Sequence, residues 1–276
     1  GLGRSETLLG QFIRETQDCA PHADGSGDVE HSHKREAEGQ YPSRPLVATK
    51  FMPFPWRWGK KALLRALRKS LDRLRLTYVD LYQIHWPTPL VAVETWMDAL
   101  ADAVEAGLVR GVGVSNYDTE QMGRAYNALA RRGVKLASNQ VEYSLLQRTP
   151  EFNGVLQRCG DLNVTLIAYS PLGMGILTGK YTPDNPPPLG RRLRFNRSFL
   201  ERVQPLLGLM REIGETYKKT PAQIALNWTI CKGALPIPGA KTSRHAEKNA
   251  GALGWRLTVD EVQALDEASC FDQELG

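Results

Sequence analysis

Two basic side chains close two short apolar runs: PLVATK ends at Lys50 and VDLYQIH at His85. A lysine and a histidine at neighbouring strand ends suit polarisation of a carbonyl. The ammonium lowers the pKa of a nearby proton donor, and the imidazole orients the substrate oxygen. Ser115-Asn116, Asn139-Gln140 and Tyr169-Ser170 close three further runs. Their amides and hydroxyls can hold a carboxamide, and the tyrosine ring can stack on a flat heterocycle, as a nicotinamide ring requires. A sixth run, ALPIPG, leads into PGAKTSRHAEKN (238–249). There Gly239 permits close backbone approach ahead of a helix start, and Lys241, Thr242, Arg244, His245 and Lys248 surround it with cations and donors. Cations are unfavourable at a helix N-terminus unless an anion is bound, so the pattern points to a phosphate monoester. Each set also has a plain structural reading: a solvated lysine, a rim histidine, turn-capping amides, a polar helix start.

Between most of these runs lies one amphipathic helical stretch. Parallel strands joined by helices bring their C-terminal ends to one face. The expected fold is therefore α/β, a TIM-type (β/α)8 barrel, with six strands starting near 45, 79, 109, 135, 164 and 234. Helices are expected over 5–15, 60–75, 93–106, 118–132, 150–160, 198–218, 221–232, 243–252 and 258–268. Leu8, Leu9, Phe12 and Ile13 share a face of the first, and Leu63, Leu64, Leu67, Leu71 and Leu74 a face of the second. Thr220-Pro221 and the Thr258…Glu261 pair read as helix starts. Residues 172–197 are rich in Gly, Pro and Arg, with Arg191, Arg192, Arg194 and Arg197, and are too long for a simple connection. In the segment FMPFPWRWG (51–59) and the turn after His85, Phe51, Phe54, Trp56, Trp58 and Trp86 suggest an aromatic substrate wall, or else a loop packed on the rim.

A chain of 276 residues can bury one large core, and 42% hydrophobic with 24% charged residues describes a globular protein read as a single domain. No apolar stretch is long enough to span a bilayer. The net charge of +5 suits an anionic partner. Its basic residues are scattered among acidic ones, which favours a phosphorylated small molecule over nucleic acid. The four cysteines have no metal-ligand spacing and read as reduced thiols. Residues 16–44 nearly lack aliphatic side chains and read as a solvated, mobile insertion; His22, His31 and His33, beside Cys19 and Glu30, fit no metal-ligand pattern. The opening GLGRSE places Glu6 where a dinucleotide-binding GxGxxG has its third glycine, and no strand precedes it, so that motif is excluded. No targeting segment is visible.

Taken together, ATK (48–50), VDLYQIHWP (79–87), RGVGVSNY (110–117), SNQVEYS (138–144), AYSPLGMGILTGKY (168–181), KTPAQIALNW (219–228) and IPGAK (237–241) resemble the aldo-keto reductases. The likeness is to the bacterial and plastid-type branch related to the potassium-channel β subunits, which implies a location in the cytoplasm or the plastid stroma. It implies NADPH-dependent reduction of small-molecule aldehydes or ketones to alcohols, with a Tyr as proton donor, a Lys that lowers its pKa, an Asp paired to the Lys and a His that orients the carbonyl. By resemblance, Lys50 matches that Lys and His85 that His. Ser115, Asn116 and Gln140 match the nicotinamide amide contacts, and Tyr169 the stacking ring. Ser170, Pro171, Leu172, Gly173 and Lys180 match the pyrophosphate-side loop. Gly239, Thr242, His245, Lys248 and Asn249 match the 2′-phosphate and adenine end, where Lys241 also falls.

Two departures accompany the resemblance. Lys248 stands where the family usually has a Glu against the adenine; it can pair with phosphate instead, which favours NADPH. GLGRSETLLG resembles the stretch that follows the family's DTAxxYG, so the catalytic Asp and Tyr, with the first two strands, are expected upstream of Gly1. Tyr41, in the polar insertion, is no substitute. Six strands cannot close an eight-stranded barrel. The expectation is an N-terminally incomplete reductase, inactive or nearly so as it stands, with a non-catalytic NADPH-binding regulatory module of the channel-β type as the alternative.

Overall fold

The computed structural model describes residues 3–18 and 45–270. The insertion expected at 16–44, with Cys19, His22, Glu30, His31, His33 and Tyr41, lies outside them apart from 16–18, which end the first helix. The chain forms two compact units, residues 1–137 and 138–276.

The first unit runs α1 (Arg4–Asp18), β1 (Ala48–Phe51), α2 (Gly59–Leu74), β2 (Val79–Ile84), α3 (Val93–Glu105), β3 (Val109–Ser115) and α4 (Thr119–Ala130). β1, β2 and β3 are parallel neighbours, with Lys50 opposite Gln83 and Ile84 opposite Val114. Leu63, Leu67, Leu71 and Leu74 lie one above another on α2 and bury its inner stripe, while Leu64 stays half-buried at the edge. With no helical continuation available, α2 stops at Arg75 in the left-handed region (φ 57°). Asp118 and Gln121 form a reciprocal capping box at the start of α4. The core gathers Tyr82, Ile84, Trp96, Met97, Leu100, Val112 and Val114, all fully buried.

α1 buries a different face from the one its leucines suggest. Ile13 is buried and Leu9 half-buried, but Leu8 and Phe12 are 55% and 52% exposed. The helix is turned by Gly10 and Glu6. A Cβ at Gly10 would stand 2.6 Å from the Leu74 carbonyl oxygen, so α1 approaches the end of α2 more closely than any larger residue allows. Gly10→Ala is expected to destabilise the fold by about 1–3 kcal/mol, as overpacking against backbone does. A urea midpoint equal to that of the parent chain would show that α1 can move aside.

The second unit holds β4 (Leu136–Glu142, from residue 138), α5 (Thr149–Phe152), α6 (Val155–Asp161), β5 (Thr165–Tyr169), a 3-10 turn (Gly173–Thr178), α7 (Leu189–Arg192), α8 (Arg197–Arg202), α9 (Gln204–Tyr217), α10 (Pro221–Cys231), β6 (Leu235–Pro236), α11 (Ser243–Ala250) and α12 (Val259–Ala268). β4 pairs with β5 and β5 with the two-residue β6, all parallel. Two helices expected as continuous are broken. Gly154, at φ 79°, separates α5 from α6. Pro205, which has no amide hydrogen to give to the turn before it, separates α8 from α9. Thr220 with Gln223 and Thr258 with Glu261 form the helix-starting capping boxes of α10 and α12.

α10 is apolar almost all round and is buried from Ile224 to Thr229. Asn227 on it is fully buried yet satisfied: its amide donates to the Ala252 and Trp255 carbonyls at 2.9 Å each, and its oxygen accepts from the Leu257 amide at 3.0 Å. A second polar cluster joins α5, α10 and α12. Glu151 accepts from Arg148 Nε (2.8 Å), Arg148 Nη2 (2.8 Å) and the Tyr143 hydroxyl (2.9 Å), and pairs with Lys232 Nζ at 2.9 Å. Lys232 also meets Asp266 Oδ2 (2.8 Å), whose Oδ1 accepts from Trp228 Nε1 (2.8 Å). Among the described residues, no helix is long and apolar enough to cross a membrane.

Candidate active site

In the first unit the strand register brings Lys50 and His85 together. Lys50 lies opposite Gln83, and the His85 amide donates to the Phe51 carbonyl at 2.9 Å. Side chains alternate along a strand, so Lys50, Gln83 and His85 share one face while Phe51, Tyr82 and Ile84 take the other. Burial pushes the Lys50 ammonium below the ordinary lysine range. His85 is pushed below the ordinary imidazole range by burial first and by the Lys50 charge second. At neutral pH the pair is therefore a cation beside a neutral imidazole that can donate one hydrogen bond.

The next strand end completes this half. Ser115, the last residue of β3, is 1% exposed. Asn116 follows in the left-handed region (φ 60°), and its amide donates to the His85 carbonyl (3.3 Å) and to Ser115 Oγ (3.1 Å). A non-glycine residue held at positive φ at a strand end is a strained position fixed by its surroundings. Gln83, buried beneath, donates from Nε2 to the Val114 carbonyl (3.3 Å) and ties β2 to β3.

One expected substrate contact moves to the core. Phe51 is 1% exposed and packs on Trp96, ring centroids 5.2 Å apart, because it neighbours Lys50 in the strand and must face the other way. Trp56, Trp58 and Trp86 are exposed at 74%, 59% and 47%. Trp56 stacks on Phe54 at 4.9 Å with planes 4° apart, and the Arg57 guanidinium covers Phe54 at 5.1 Å. A cleft of about 310 Å³ after Trp86, lined by Pro87, Val93 and Tyr117 among others, includes none of the expected site residues.

In the second unit the corresponding residues again cluster at strand ends. Gln140 is buried, and Tyr169 is half-buried at the end of β5, with Glu142 opposite it in register. Glu142 pairs with Arg194 at 3.1 Å. Burial first, then Glu142, raise the Tyr169 hydroxyl above its ordinary pKa, so the ring is a neutral flat surface. Ser170 repeats the device of Asn116 at φ 53°, and its carbonyl accepts from the Gly173 amide at 2.8 Å. Pro171 and Gly173 are buried, and Leu172 is half-buried. Gly173, at φ 53°, lies so close to Leu146 that a Cβ would meet Cδ1 at 2.6 Å. Lys180 is exposed, with its ammonium 4.7 Å from the Tyr181 ring. The long 172–197 segment is ordered by its arginines: Arg191 donates to the Met174 carbonyl (2.6 Å) and Arg192 to the Pro187 carbonyl (2.9 Å).

The Ile237 amide donates to the Ala168 carbonyl at 3.0 Å, which sets the 238–249 segment beside the end of β5. Gly239, Lys241, Thr242, His245 and Lys248 are exposed there, and Asn249 half-exposed. Thr242 caps α11 by accepting from the His245 amide (3.2 Å), while His245 Nδ1 accepts from the Lys241 amide (3.4 Å). No acid occupies the first turn of α11. A phosphate dianion fits this donor set by charge and helix dipole together. Sequence reasoning gave no role at the site to Glu6, Thr49 or Glu142; the first two are linked by a hydrogen bond spanning 43 residues.

Parallel strands with helical crossovers, and polar residues gathered at their C-terminal ends, define an α/β enzyme of the barrel class. The Aldo/keto reductase family pattern matches residues 1–269, and the chain belongs to that family of oxidoreductases. The chloroplastic pyridoxal reductase of Arabidopsis thaliana is 42% identical over 271 residues, which are 97% of this chain and 68% of that protein. An uncharacterized oxidoreductase of Mycobacterium bovis is 34% identical over 276 residues, covering 98% of this chain and 75% of its own. The crystal structure of an aldo-keto reductase from Klebsiella pneumoniae in complex with NADPH matches with a TM-score of 0.69 at 28% identity, over 99% of this chain and 78% of that one.

Proposed function

We propose that this protein reduces aldehydes or ketones to alcohols with NADPH. The observation that carries the reading is the Lys50–His85 pair, set on one face by register and half-withdrawn from water. NADPH, when bound, supplies the hydride for the carbonyl carbon. His85, neutral at pH 7, donates a hydrogen bond to the carbonyl oxygen. Lys50 places a positive charge near that oxygen, where negative charge grows, and lowers the pKa of the hydroxyl that protonates it. Ser115, Asn116 and Gln140 hold the nicotinamide carboxamide, and Tyr169 stacks beneath its ring. Ser170, Pro171, Leu172, Gly173 and Lys180 take the pyrophosphate. Gly239, Lys241, Thr242, His245, Lys248 and Asn249 take the 2′-phosphate and adenine end, with Lys248 as an added cation for phosphate.

The 42% identity to a pyridoxal reductase supports a flat heteroaromatic aldehyde among the substrates, and the exposed Trp56, Trp58 and Trp86 offer rings for it. The same relative supports a plastid location. None of the 276 residues stands in a DTAxxYG pattern. The second reading is a non-catalytic NADPH-binding regulatory module of the channel-β type. One experiment separates the two: NADPH oxidation with small aldehydes by the 276-residue polypeptide and by a version with a DTAxxYG segment joined before Gly1. The enzyme reading expects the second to be faster by roughly 10² to 10⁴, the worth of a positioned general acid. NADPH binding without turnover in both would favour the regulatory module.

A further inference from the structure

Glu6 stands on α1, remote in sequence from every residue assigned above. Its carboxylate is spent on two partners. Oε1 accepts from the Thr49 hydroxyl at 2.7 Å, and Oε2 meets Arg73 Nη2 at 2.6 Å and Nε at 2.7 Å. Arg73 is itself held by donating to Ser70 Oγ at 3.1 Å, and Gly10 brings α1 against the α2 carbonyls. Glu6 is thus anchored on a helix pair through Oε2, and its Oε1 reaches Thr49, the residue just before Lys50.

We propose that Glu6 is a positioning residue for Lys50, acting through Thr49. The inference rests on the catalytic reading of Lys50. β1 has only four residues, and Thr49 and Lys50 face opposite ways along it. A long lysine stem has many rotamers and no branch to restrict it, so its direction depends on how firmly the backbone at 49–50 is fixed. The β1–β2 ladder fixes that backbone along the sheet. The Thr49–Glu6 bond fixes it across the sheet, pulling the helix-side face of β1 toward α1 and holding the opposite face toward His85. A charge-assisted bond at 2.7 Å is a strong tether for this purpose.

The test reads Lys50 directly and needs no turnover. Lysines of the 276-residue chain are reductively methylated with 13C-formaldehyde, the Lys50 signal is assigned by its loss in Lys50→Arg, and it is titrated alongside His85. Thr49→Val keeps shape and removes the tether; the Lys50 midpoint should rise by roughly half a unit or more toward the ordinary lysine range as the ammonium regains water. Glu6→Ala should match it, and the double variant should add nothing further. Glu6→Gln, which keeps an oxygen for Thr49, should restore most of the parent value. Arg73→Met loosens α1 and leaves the tether, so it should shift Lys50 little. A Lys50 midpoint unmoved in Thr49→Val, or moved as far in Arg73→Met, overturns the proposal. Failure of the catalytic reading would look different: Lys50→Met would turn over normally in the DTAxxYG-bearing version while Lys50 still responded to Thr49→Val.

Discussion

In the version that carries a DTAxxYG segment before Gly1, Lys50→Met is expected to lower aldehyde reduction by roughly 10² to 10⁴-fold while leaving NADPH affinity within about twofold. The two halves of this expectation come from different parts of the chain. Lys50 acts where charge develops on the carbonyl oxygen, and methionine fills the same volume without the charge, so the loss falls on the transition state. The dinucleotide is assigned mainly to residues at 140, 169–180 and 239–249, which the substitution does not touch. The loss should therefore appear in kcat, with fluorescence quenching by NADPH unchanged. The parent activity should also fall as pH drops through the depressed His85 range, because a protonated imidazole beside the Lys50 ammonium adds a second cation at the site. Lys50→Met relieves that repulsion, so the residual activity should lose its acidic limb at a higher pH than the parent does. Normal turnover in Lys50→Met would remove the assigned role.

Much of this site was legible from strand ends alone. Each of the six apolar runs holds a strand in the structure; Lys50, His85, Asn116, Gln140 and Ser170 lie at or near the C-terminal ends of five of them, and Gly239 follows the two-residue β6 by three residues. The signal is strong because parallel crossovers leave few alternatives for where such residues can go. Phe51 was misplaced for a reason the sequence also contained: next to Lys50 in one strand, it cannot share its face. The α1 face was harder, since leucine spacing cannot show that Gly10 will meet a carbonyl or that Glu6 will find Arg73 67 residues away. Helix breaks at Gly154 and Pro205 were readable from residue type but lost within longer periodic patterns. The order within 172–197 was not readable, because its arginines bond to backbone carbonyls, which every residue carries.

Glu151→Ala should be strongly destabilising, at roughly 2–4 kcal/mol, toward the lower part of the cost of breaking a buried charge cluster from one side, because this cluster is half-buried. Glu151 accepts from the Tyr143 hydroxyl, and it takes two bonds from Arg148 and one from Lys232. Its removal leaves two cations sharing Asp266 and a buried phenol without its acceptor. The carboxyl itself reports the balance. Burial acts to raise its pKa, but the bonds from Arg148, Lys232 and Tyr143 outweigh burial and hold it at about 2. The folded chain therefore binds this proton less readily than the unfolded chain, whose carboxyl titrates near 4.5. The resulting stability, on the order of 3 kcal/mol, is fully present above pH 4.5 and fades as pH falls toward 2. In Glu151→Gln that part of the acid dependence should vanish, with the variant already weakened at pH 7 and losing less on acidification. Urea unfolding from pH 7 to pH 3 checks both statements. Parallel stability curves for the parent and Glu151→Gln would mean that the cluster's charges are balanced elsewhere, and that α5, α10 and α12 are held by packing alone.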